Sequence, residues 1–198
     1  MSIIINVLLP GGSILVSDSR MSNTVNGKTT VLSENIQKIF RIKRHVAVGF
    51  TGSYQLAMVI KSVCEVGPIQ KLKYADLIAA SLRNWLPQNG NQQLGSIEII
   101  VSGLCSNGMI ESFTLDGKND YELKRYSIDR DSPVCYTMLC DTPFNTIFEA
   151  SLIEAIQRGA IKNNVERQIL LCASNHIRYV ASINPTVNDN IHALIVKP

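Results

Sequence analysis

Residues within the first 52 positions carry the groups that amide hydrolysis requires. The reaction needs a nucleophile, a base, a positive charge that lowers the pKa of the nucleophile, and a hydrogen-bond donor for the oxyanion. Removal of Met1 would give Ser2 both a hydroxyl and a free α-amine, whose pKa of about 8 suits a base at neutral pH. Lys38 can supply the positive charge, Asp18 can hold its ammonium, and the Gly52 amide can donate to an oxyanion. These four residues are the candidate catalytic set.

Two strands and a tight turn at the start of the chain would position Ser2 and Asp18. Residues 3–9 are rich in β-branched side chains, which is typical of a buried strand, and residues 13–17 form a second apolar stretch. Pro10-Gly11-Gly12 lies between them and predicts a hairpin turn. The hairpin would tie the amino terminus to a sheet and place Asp18 on the strand that follows the turn.

A third strand and a helix start would bring Lys38 and Gly52 to this region. Residues 36–42 alternate between apolar and polar or basic side chains, which predicts a strand that carries Lys38. Thr51-Gly52-Ser53 interrupts the strand pattern ahead of helical spacing over residues 54–66, and its serine is a suitable helix cap.

The rest of the chain predicts further strands and helices in groups. Residues 22–34 are polar, with a turn signal at Asn26-Gly27. Helices are predicted over residues 74–86 (stopped by Pro87), 143–158 and 165–180, and strands over 45–50, 97–104, 109–115, 121–126, 134–139 and 191–197. This order indicates an α+β fold in which two antiparallel sheets pack face to face between two helix pairs. Residues 1–198 are interpreted as one domain.

Composition excludes several classes of protein. The 198 residues are 45% hydrophobic and 18% charged, which is typical of a globular chain. The net charge is +3 and the basic residues are scattered, so we predict no nucleic-acid partner. The opening apolar run is too short to span a membrane and lacks the features of a signal peptide, so we predict no membrane association.

The cysteines indicate a reducing compartment. Their number is five, which is odd, and no CxxC spacing occurs, so reduced thiols in the cytoplasm fit better than a disulfide framework. Cys172 and His176 lie four positions apart on a predicted helix, but two ligands without a second pair favour core packing over a metal site. No metal or other cofactor is predicted.

Together these segments resemble the proteasome β-subunit family of N-terminal nucleophile hydrolases, including its bacterial homologues. In that family an N-terminal Thr or Ser starts the first strand and an Asp follows sixteen positions later, as Asp18 follows Ser2. The family's Asp-x-Arg motif reads Asp18-Ser19-Arg20, its Lys before two apolar residues reads Lys38-Ile39-Phe40, and its small-residue turn reads Thr51-Gly52-Ser53. The chain starts at the first strand, as β-type subunits do.

The resemblance implies a role for each candidate residue. Ser2 would be the nucleophile and its amine the base, Lys38 would lower the pKa of Ser2, and Asp18 would orient Lys38. The Gly52 amide would form the oxyanion hole. The resemblance also implies a four-layer fold, self-association into a ring or double ring, and peptides or unfolded proteins as substrates. An unfoldase ATPase is a candidate partner.

The second half of the chain departs from the family pattern. Active members usually have a Gly-Ser-Gly turn ahead of the third helix, where this chain has Cys140. They also have an Asp and, three residues on, a Ser ahead of the last strand, where our alignment places Asn184 and Val187. Arg20, Cys140 and Asn184 are therefore the residues expected to support the catalytic groups, with the last two altered. Loss of the support that these residues give to the catalytic groups would lower the rate of hydrolysis by about 10–100-fold, by analogy with the loss of residues that orient metal ligands.

The same resemblance predicts the substrate pocket. Its wall would be formed by Met21, Ile36, Phe50 and Tyr54, an apolar lining that disfavours charged side chains next to the scissile bond. A bulky Phe50 at the floor would favour small or medium apolar residues.

Three interpretations stay open on the sequence alone. The first is a self-compartmentalising threonine-type peptidase with a serine nucleophile, of ordinary or weak activity. The second is an inactive ring scaffold of the same fold, which the altered residues Cys140, Asn184 and Val187 favour. The third is an amidase of the same fold that acts on a small molecule.

Overall fold

A computed structural model describes residues 2–26, 28–89, 97–140 and 145–198. The helices within these ranges are α1 (Tyr54–Glu65), α2 (Ala75–Asn89), α3 (Asn145–Lys162) and α4 (Val165–Ile183). Short 3-10 helices cover Pro68–Lys71 and Gly117–Asn119. The strands are β1 (Ile4–Leu9), β2 (Gly12–Asp18), β3 (Met21–Val25), β4 (Lys28–Ser33), β5 (Ile39–Lys43), β6 (Val46–Gly52), β7 (Ile97–Leu104), β8 (Ile110–Asp116), β9 (Glu122–Tyr126), β10 (Cys135–Leu139) and β11 (Ile191–Val196).

The strands form two large antiparallel sheets and one small one. The front sheet has the order β10-β1-β2-β11, so the opening hairpin of β1 and β2 lies between β10 and β11. The back sheet runs β5-β6-β7-β8-β9, with each strand paired to its neighbour in sequence. β3 and β4 form a separate hairpin. The tight turn between β1 and β2 requires a positive φ of 79° at Gly11, which glycine adopts without strain.

Four layers result, because each sheet is apolar on both faces. The helices α1 and α2 pack on the back sheet around residues such as Leu56, Ile78 and Leu82. The helices α3 and α4 pack on the front sheet around residues such as Phe148 and Ile177. Buried side chains join the two sheets to each other: Ile4, Leu15, Ile39, Ala47, Ile100, Leu139 and Val196. The predicted α+β sandwich of helix pair, sheet, sheet and helix pair is confirmed.

The opening strand shows why this sequence gives this arrangement. All six residues of β1 are buried, as in a strand covered on both faces. Ile5 and Val7 point towards α3 and α4, while Ile4 points towards the back sheet, since successive side chains alternate between faces.

A closed polar network lies between the sheets, and we call it the inter-sheet network: Asn6, Ser13, Ser102 and Ser112. Each of the four residues is fully buried. The Asn6 Nδ2 donates to Ser112 Oγ at 2.7 Å, and the Ser13 Oγ donates to Asn6 Oδ1 at 2.7 Å. The Ser102 Oγ lies 2.7 Å from Ser13 Oγ and 2.6 Å from Ser112 Oγ. Mutual hydrogen bonding removes the cost that burying these polar groups would otherwise carry.

The local predictions differ from the structure at identifiable places. The polar stretch 22–34 holds the β3–β4 hairpin, which its weak alternation did not reveal. The helix α2 continues through Pro87 to Asn89, beyond the predicted stop, although proline has no N–H to donate to the carbonyl four residues back. The predicted start of the third helix at residue 143 lies outside the described residues. Across the described ranges, no helix is long and apolar enough to cross a membrane.

Candidate functional site

A buried ion pair between Asp18 and Lys38 is the centre of the candidate site. The Lys38 Nζ lies 2.8 Å from each carboxylate oxygen of Asp18. The side chains of Lys38 and Asp18 are 4% and 0% exposed. Burial lowers the pKa of the Lys38 ammonium below its usual value, although the adjacent Asp18 carboxylate acts in the opposite direction.

The opening hairpin places Asp18 beside the amino terminus. Asp18 follows Ser17, which pairs with Ile4 across the β1–β2 ladder. The Ile3 N–H donates to Asp18 Oδ1 at 2.9 Å, and the Arg20 N–H donates to Asp18 Oδ2 at 3.1 Å. One carboxylate therefore fixes the residue after Ser2 and the Lys38 ammonium together.

Lys38 is fixed by its backbone as well as by its side chain. It directly precedes β5, which begins at Ile39, three residues later than the predicted strand start at residue 36. Its carbonyl accepts from the Phe50 N–H at 3.0 Å. This bond continues the ladder between β5 and β6, so Lys38 is held at a defined distance from the end of β6.

Gly52 ends β6 in a conformation that a side chain would strain. Its φ is 94°, which lies in the region that favours glycine. Ser53 then caps α1, because its hydroxyl accepts from the Leu56 N–H at 3.3 Å. The predicted capping serine is confirmed, whereas the break predicted to begin at residue 51 falls two positions later, at Ser53, because β6 includes Thr51 and Gly52.

A cavity of about 290 Å³ brings most of the predicted site residues together. It is lined by Ser2, Arg20, Met21, Ser22, Ile36, Lys38, Phe50, Thr51, Gly52, Tyr54, Glu98, Lys118 and Cys140. The candidate nucleophile, the lysine and the candidate oxyanion donor thus share one cleft. All four residues predicted for the pocket wall, Met21, Ile36, Phe50 and Tyr54, also line it.

The lining is less uniformly apolar than the sequence suggested. Glu98 and Lys118 also face the cavity, and their charged groups lie 3.8 Å apart. Thr51 donates to Glu98 Oε2 at 3.3 Å. Sequence reasoning missed both charged residues, because they follow Ser2 by about a hundred positions. Glu98 enters the cleft through the pairing of β6 with β7, and Lys118 lies just after β8, which pairs with β7.

Arg20 connects the cleft to neighbouring loops. Its Nε lies 3.0 Å from Glu34 Oε2, and its Nη1 donates to the Pro185 carbonyl at 2.6 Å. Hydrogen bonds from Arg20 and Asn188 lower the pKa of the Glu34 carboxyl.

Asn188 is a supporting residue that the sequence did not reveal. It is 5% exposed, and its Oδ1 accepts from the Ser19 N–H at 3.0 Å. Its Nδ2 donates to the Glu34 carbonyl at 2.9 Å and to Glu34 Oε2 at 2.8 Å. Ser19 joins Asp18 to Arg20, so Asn188 holds the backbone of the Asp-Ser-Arg motif from the side of β11.

The residues aligned with the family's rear support have different surroundings. Asn184 Oδ1 accepts from the Thr186 N–H at 3.0 Å and from its hydroxyl at 2.6 Å. Val187 is 1% exposed and packs with the residues between the front sheet and its helices. Asn188 also lies between α4 and β11 and contacts the Ser19 backbone; the supporting role of Asn184 stays a prediction. Cys140 lines the cleft, as its predicted position requires.

The thiols and histidines show no metal arrangement in the described part of the chain. No group of three or more His, Cys, Asp or Glu side chains there is placed to hold a metal ion. His176 packs against the Phe148 ring with centroids 5.1 Å apart, and burial lowers its pKa. The five cysteines, all within the described residues, form no disulfide bond.

Comparisons with known proteins identify the fold. No protein-family model matches the chain, and a sequence search of curated proteins finds no match. Among solved structures, the chain is similar to Anbu (ancestral beta-subunit) from Yersinia bercovieri, with a TM-score of 0.66, 14% identity, and coverage of 98% of this chain and 80% of that one. It is also similar to eukaryotic HslV from Trypanosoma brucei, with a TM-score of 0.59, 16% identity and coverage of 99% of both chains.

Because these sequence identities are low, the structural similarity establishes the fold alone. The chain has the fold of the proteasome-type N-terminal nucleophile hydrolases, and the resemblance predicted from its motifs is confirmed at that level.

Proposed function

We propose that the protein is a peptidase in which Ser2, exposed by removal of Met1, attacks the peptide bond. The observation that carries the proposal is the buried Lys38–Asp18 pair, whose lysine lines the same cavity as Ser2 and Gly52. A buried charge pair adds little to stability compared with apolar side chains, so its presence at a cleft favours chemistry over packing. This geometry supports a working site more than an inactive scaffold.

In the first step the Ser2 hydroxyl adds to the substrate carbonyl carbon. The free α-amine of Ser2 takes the hydroxyl proton, while the Lys38 charge lowers the pKa of that hydroxyl. The Asp18 carboxylate keeps Lys38 in place and holds the Ile3 N–H, which limits movement of the adjoining Ser2. The tetrahedral oxyanion accepts a hydrogen bond from the Gly52 N–H.

In the following steps the intermediate collapses to an ester. The carbon–nitrogen bond breaks, and the α-ammonium returns its proton to the leaving amine. Water then adds to the Ser2 ester with the same amine as base, and the carboxylic acid product leaves with the hydroxyl regenerated. No metal or cofactor enters this scheme, since the amine and Lys38 provide the proton transfers and the charge.

The proposed assembly is a homo-oligomeric ring or stacked rings in the cytoplasm. The fold shared with Anbu and HslV supports self-association, and a chamber of this kind admits peptides and unfolded chains in preference to folded proteins. An unfoldase ATPase that feeds the chamber belongs to the same proposal.

Intact mass before and after treatment with a peptide epoxyketone tests the proposed nucleophile. The reagent forms its two-bond adduct only with an N-terminal hydroxyl and its free amine. We expect loss of Met1 and one adduct per chain, with Ser2→Ala as the control that forms none. A retained Met1 would overturn the assignment and favour the scaffold, because the amine would be blocked. A chain that lacks Met1 but forms no adduct would overturn the active site itself.

A further inference from the structure

The cleft has two halves of different chemistry, because consecutive residues of β6 face opposite sides of the back sheet. Phe50 points towards the helices α1 and α2, whereas Thr51 points the other way. Both residues line the cavity beside Gly52. A peptide bound at Gly52 would therefore meet a different surface on each side.

The apolar half is formed by the Phe50 and Tyr54 rings, and Phe40 stacks on Phe50. The Phe50 ring lies 5.6 Å from Phe40 and 6.5 Å from Tyr54, measured between centroids. This half matches the apolar pocket expected from the sequence and accounts for one substrate side chain.

The charged half is formed by Thr51, Glu98 and Lys118. Thr51 pairs with Glu98 across the β6–β7 ladder, and its hydroxyl donates to the Glu98 carboxylate at 3.3 Å. The Glu98 side chain is 23% exposed, whereas that of Lys118 is 58% exposed. The Glu98 carboxylate is thus partly buried and held by the Thr51 hydroxyl, whereas the Lys118 side chain is mostly exposed.

We propose that Glu98 is a specificity-determining residue that binds a positively charged side chain of the substrate, across the scissile bond from the side chain in the apolar half. The proposal rests on the proposed function, since it assigns a substrate class to the same cleft. It predicts peptides with an apolar residue on one side of the scissile bond and Lys or Arg on the other.

The other charges of the cleft favour a cation over an anion at this position. Arg20 is paired with Glu34, and Lys38 is paired with Asp18. Lys118 is the remaining cation of the lining, and its long, exposed contact with Glu98 is of the kind that contributes little free energy. A substrate ammonium or guanidinium can displace it and bind the carboxylate that Thr51 orients.

A peptide panel that varies one position at a time tests the assignment. The peptides carry Leu on one side of the scissile bond and Lys, Arg, Ala or Glu on the other, in both orientations. We expect kcat/KM for Lys and Arg to exceed that for Glu by about fivefold or more, which corresponds to a favourable exposed ion pair. Glu98→Gln should remove this preference, and Lys118→Met should increase it.

Glu65→Gln is the matched control, because Glu65 also pairs with a lysine, Lys61, but at the end of α1. This variant should keep the parent's preference. A parent that cleaves all panel members equally or favours Glu, or a Glu98→Gln variant that still prefers Lys, would overturn the role of Glu98.

Binding to the Ser2→Ala variant separates this inference from the proposed function. The measured quantity is the Kd of fluorescent Lys- and Glu-containing panel peptides. Tighter binding of the Lys peptide, lost on adding Glu98→Gln, would support the Glu98 site even if the parent hydrolyses nothing, in which case only the proposed function fails. Equal Kd values for both peptides would overturn the Glu98 site whatever the parent hydrolyses.

Discussion

Two buried polar clusters in this molecule differ in their charge and in whether they face the cleft. The Asp18–Lys38 pair carries full charges, and its lysine faces the cleft. The inter-sheet network of Asn6, Ser13, Ser102 and Ser112 carries no charge, and its members hydrogen-bond to one another. Both are almost completely buried, so burial alone does not distinguish a chemical site from a structural one.

The difference between them shows what to look for in a buried polar group. The uncharged network fixes how the two sheets stack, because its polar groups hydrogen-bond to one another rather than to a ligand. A charge pair beside a cavity is costly to bury, and it presents a lysine with a lowered pKa to the space where a substrate would lie. The comparison predicts that changes in the Asp18–Lys38 pair lower both activity and stability, whereas changes in the inter-sheet network lower stability alone.

Lys38→Met should give the largest effect. We expect kcat/KM to fall by about 10²–10³-fold, because the positive charge near the nucleophile is lost. The same change leaves Asp18 buried without its partner, which should lower the free energy of unfolding by about 3–5 kcal/mol. Peptide hydrolysis and urea unfolding measure the two effects separately.

The double variant Lys38→Met with Asp18→Asn separates the effect of the pair on activity from its effect on the free energy of unfolding. It should recover much of the unfolding free energy, because no unpaired charge remains, while its activity stays as low as that of Lys38→Met. Recovery of activity along with stability would mean that the pair is structural, like the inter-sheet network.

Asn188→Ala should give the next largest effect on activity. We expect kcat to fall by about 10–100-fold, by analogy with the loss of residues that orient metal ligands, with KM little changed. The reason is that Asn188 holds the Ser19 N–H beside Asp18 without lining the cleft.

A compensating pair sharpens this prediction. Asn188→Asp places a carboxylate against Glu34, 2.8 Å away, and should also lower kcat; adding Glu34→Gln should restore part of it by removing the repulsion. Asn190→Ala is the control, since Asn190 is exposed and contacts only the same loop. A kcat for Asn188→Ala equal to that of the control would remove Asn188 from the supporting set.

Ser102→Ala tests the inter-sheet network. It removes the hydroxyl that joins Ser13 to Ser112 and should lower the free energy of unfolding by about 1–3 kcal/mol. Activity per folded chain should stay at the parent value. The exposed Ser151→Ala on α3 should change stability by less than about 0.5 kcal/mol. A loss of kcat in Ser102→Ala would show that the two clusters are coupled.

The smallest effect is expected from His176, a buried titratable group on α4. Burial lowers its pKa in the folded state, so below its unfolded pKa of about 6.5 the unfolded chain binds more protons. The stability contribution is therefore complete above that value and is lost as the pH falls below it. Urea midpoints at neutral and mildly acidic pH should show this loss in the parent and less of it in His176→Gln. An identical acid-dependent loss in both proteins would contradict the assignment.

The sequence by itself determined the parts of this protein that depend on local pattern. Apolar runs and glycine turns predicted the opening hairpin, helical spacing predicted α1 and α4, and the order of elements predicted the four layers. The spacing of Ser2, Asp18, Lys38 and Gly52 predicted the candidate catalytic set, because each lies at the end of a strand or turn that its neighbours define. The lining of the cleft by Ser2, Lys38 and Gly52 agrees with this set; the catalytic roles stay predictions.

Only the tertiary structure decided which distant residues complete the cleft. Glu98 enters it because β7 pairs with β6 in a register that sets Glu98 opposite Thr51, and no local pattern specifies that register. Asn188 reaches Ser19 because β11 pairs with β2. The polar stretch 22–34 forms the β3–β4 hairpin, although its side chains do not alternate regularly between apolar and polar. For Glu98 and Asn188 the deciding contact joins segments far apart in the chain, and its free energy comes from packing and pairing that local sequence does not encode.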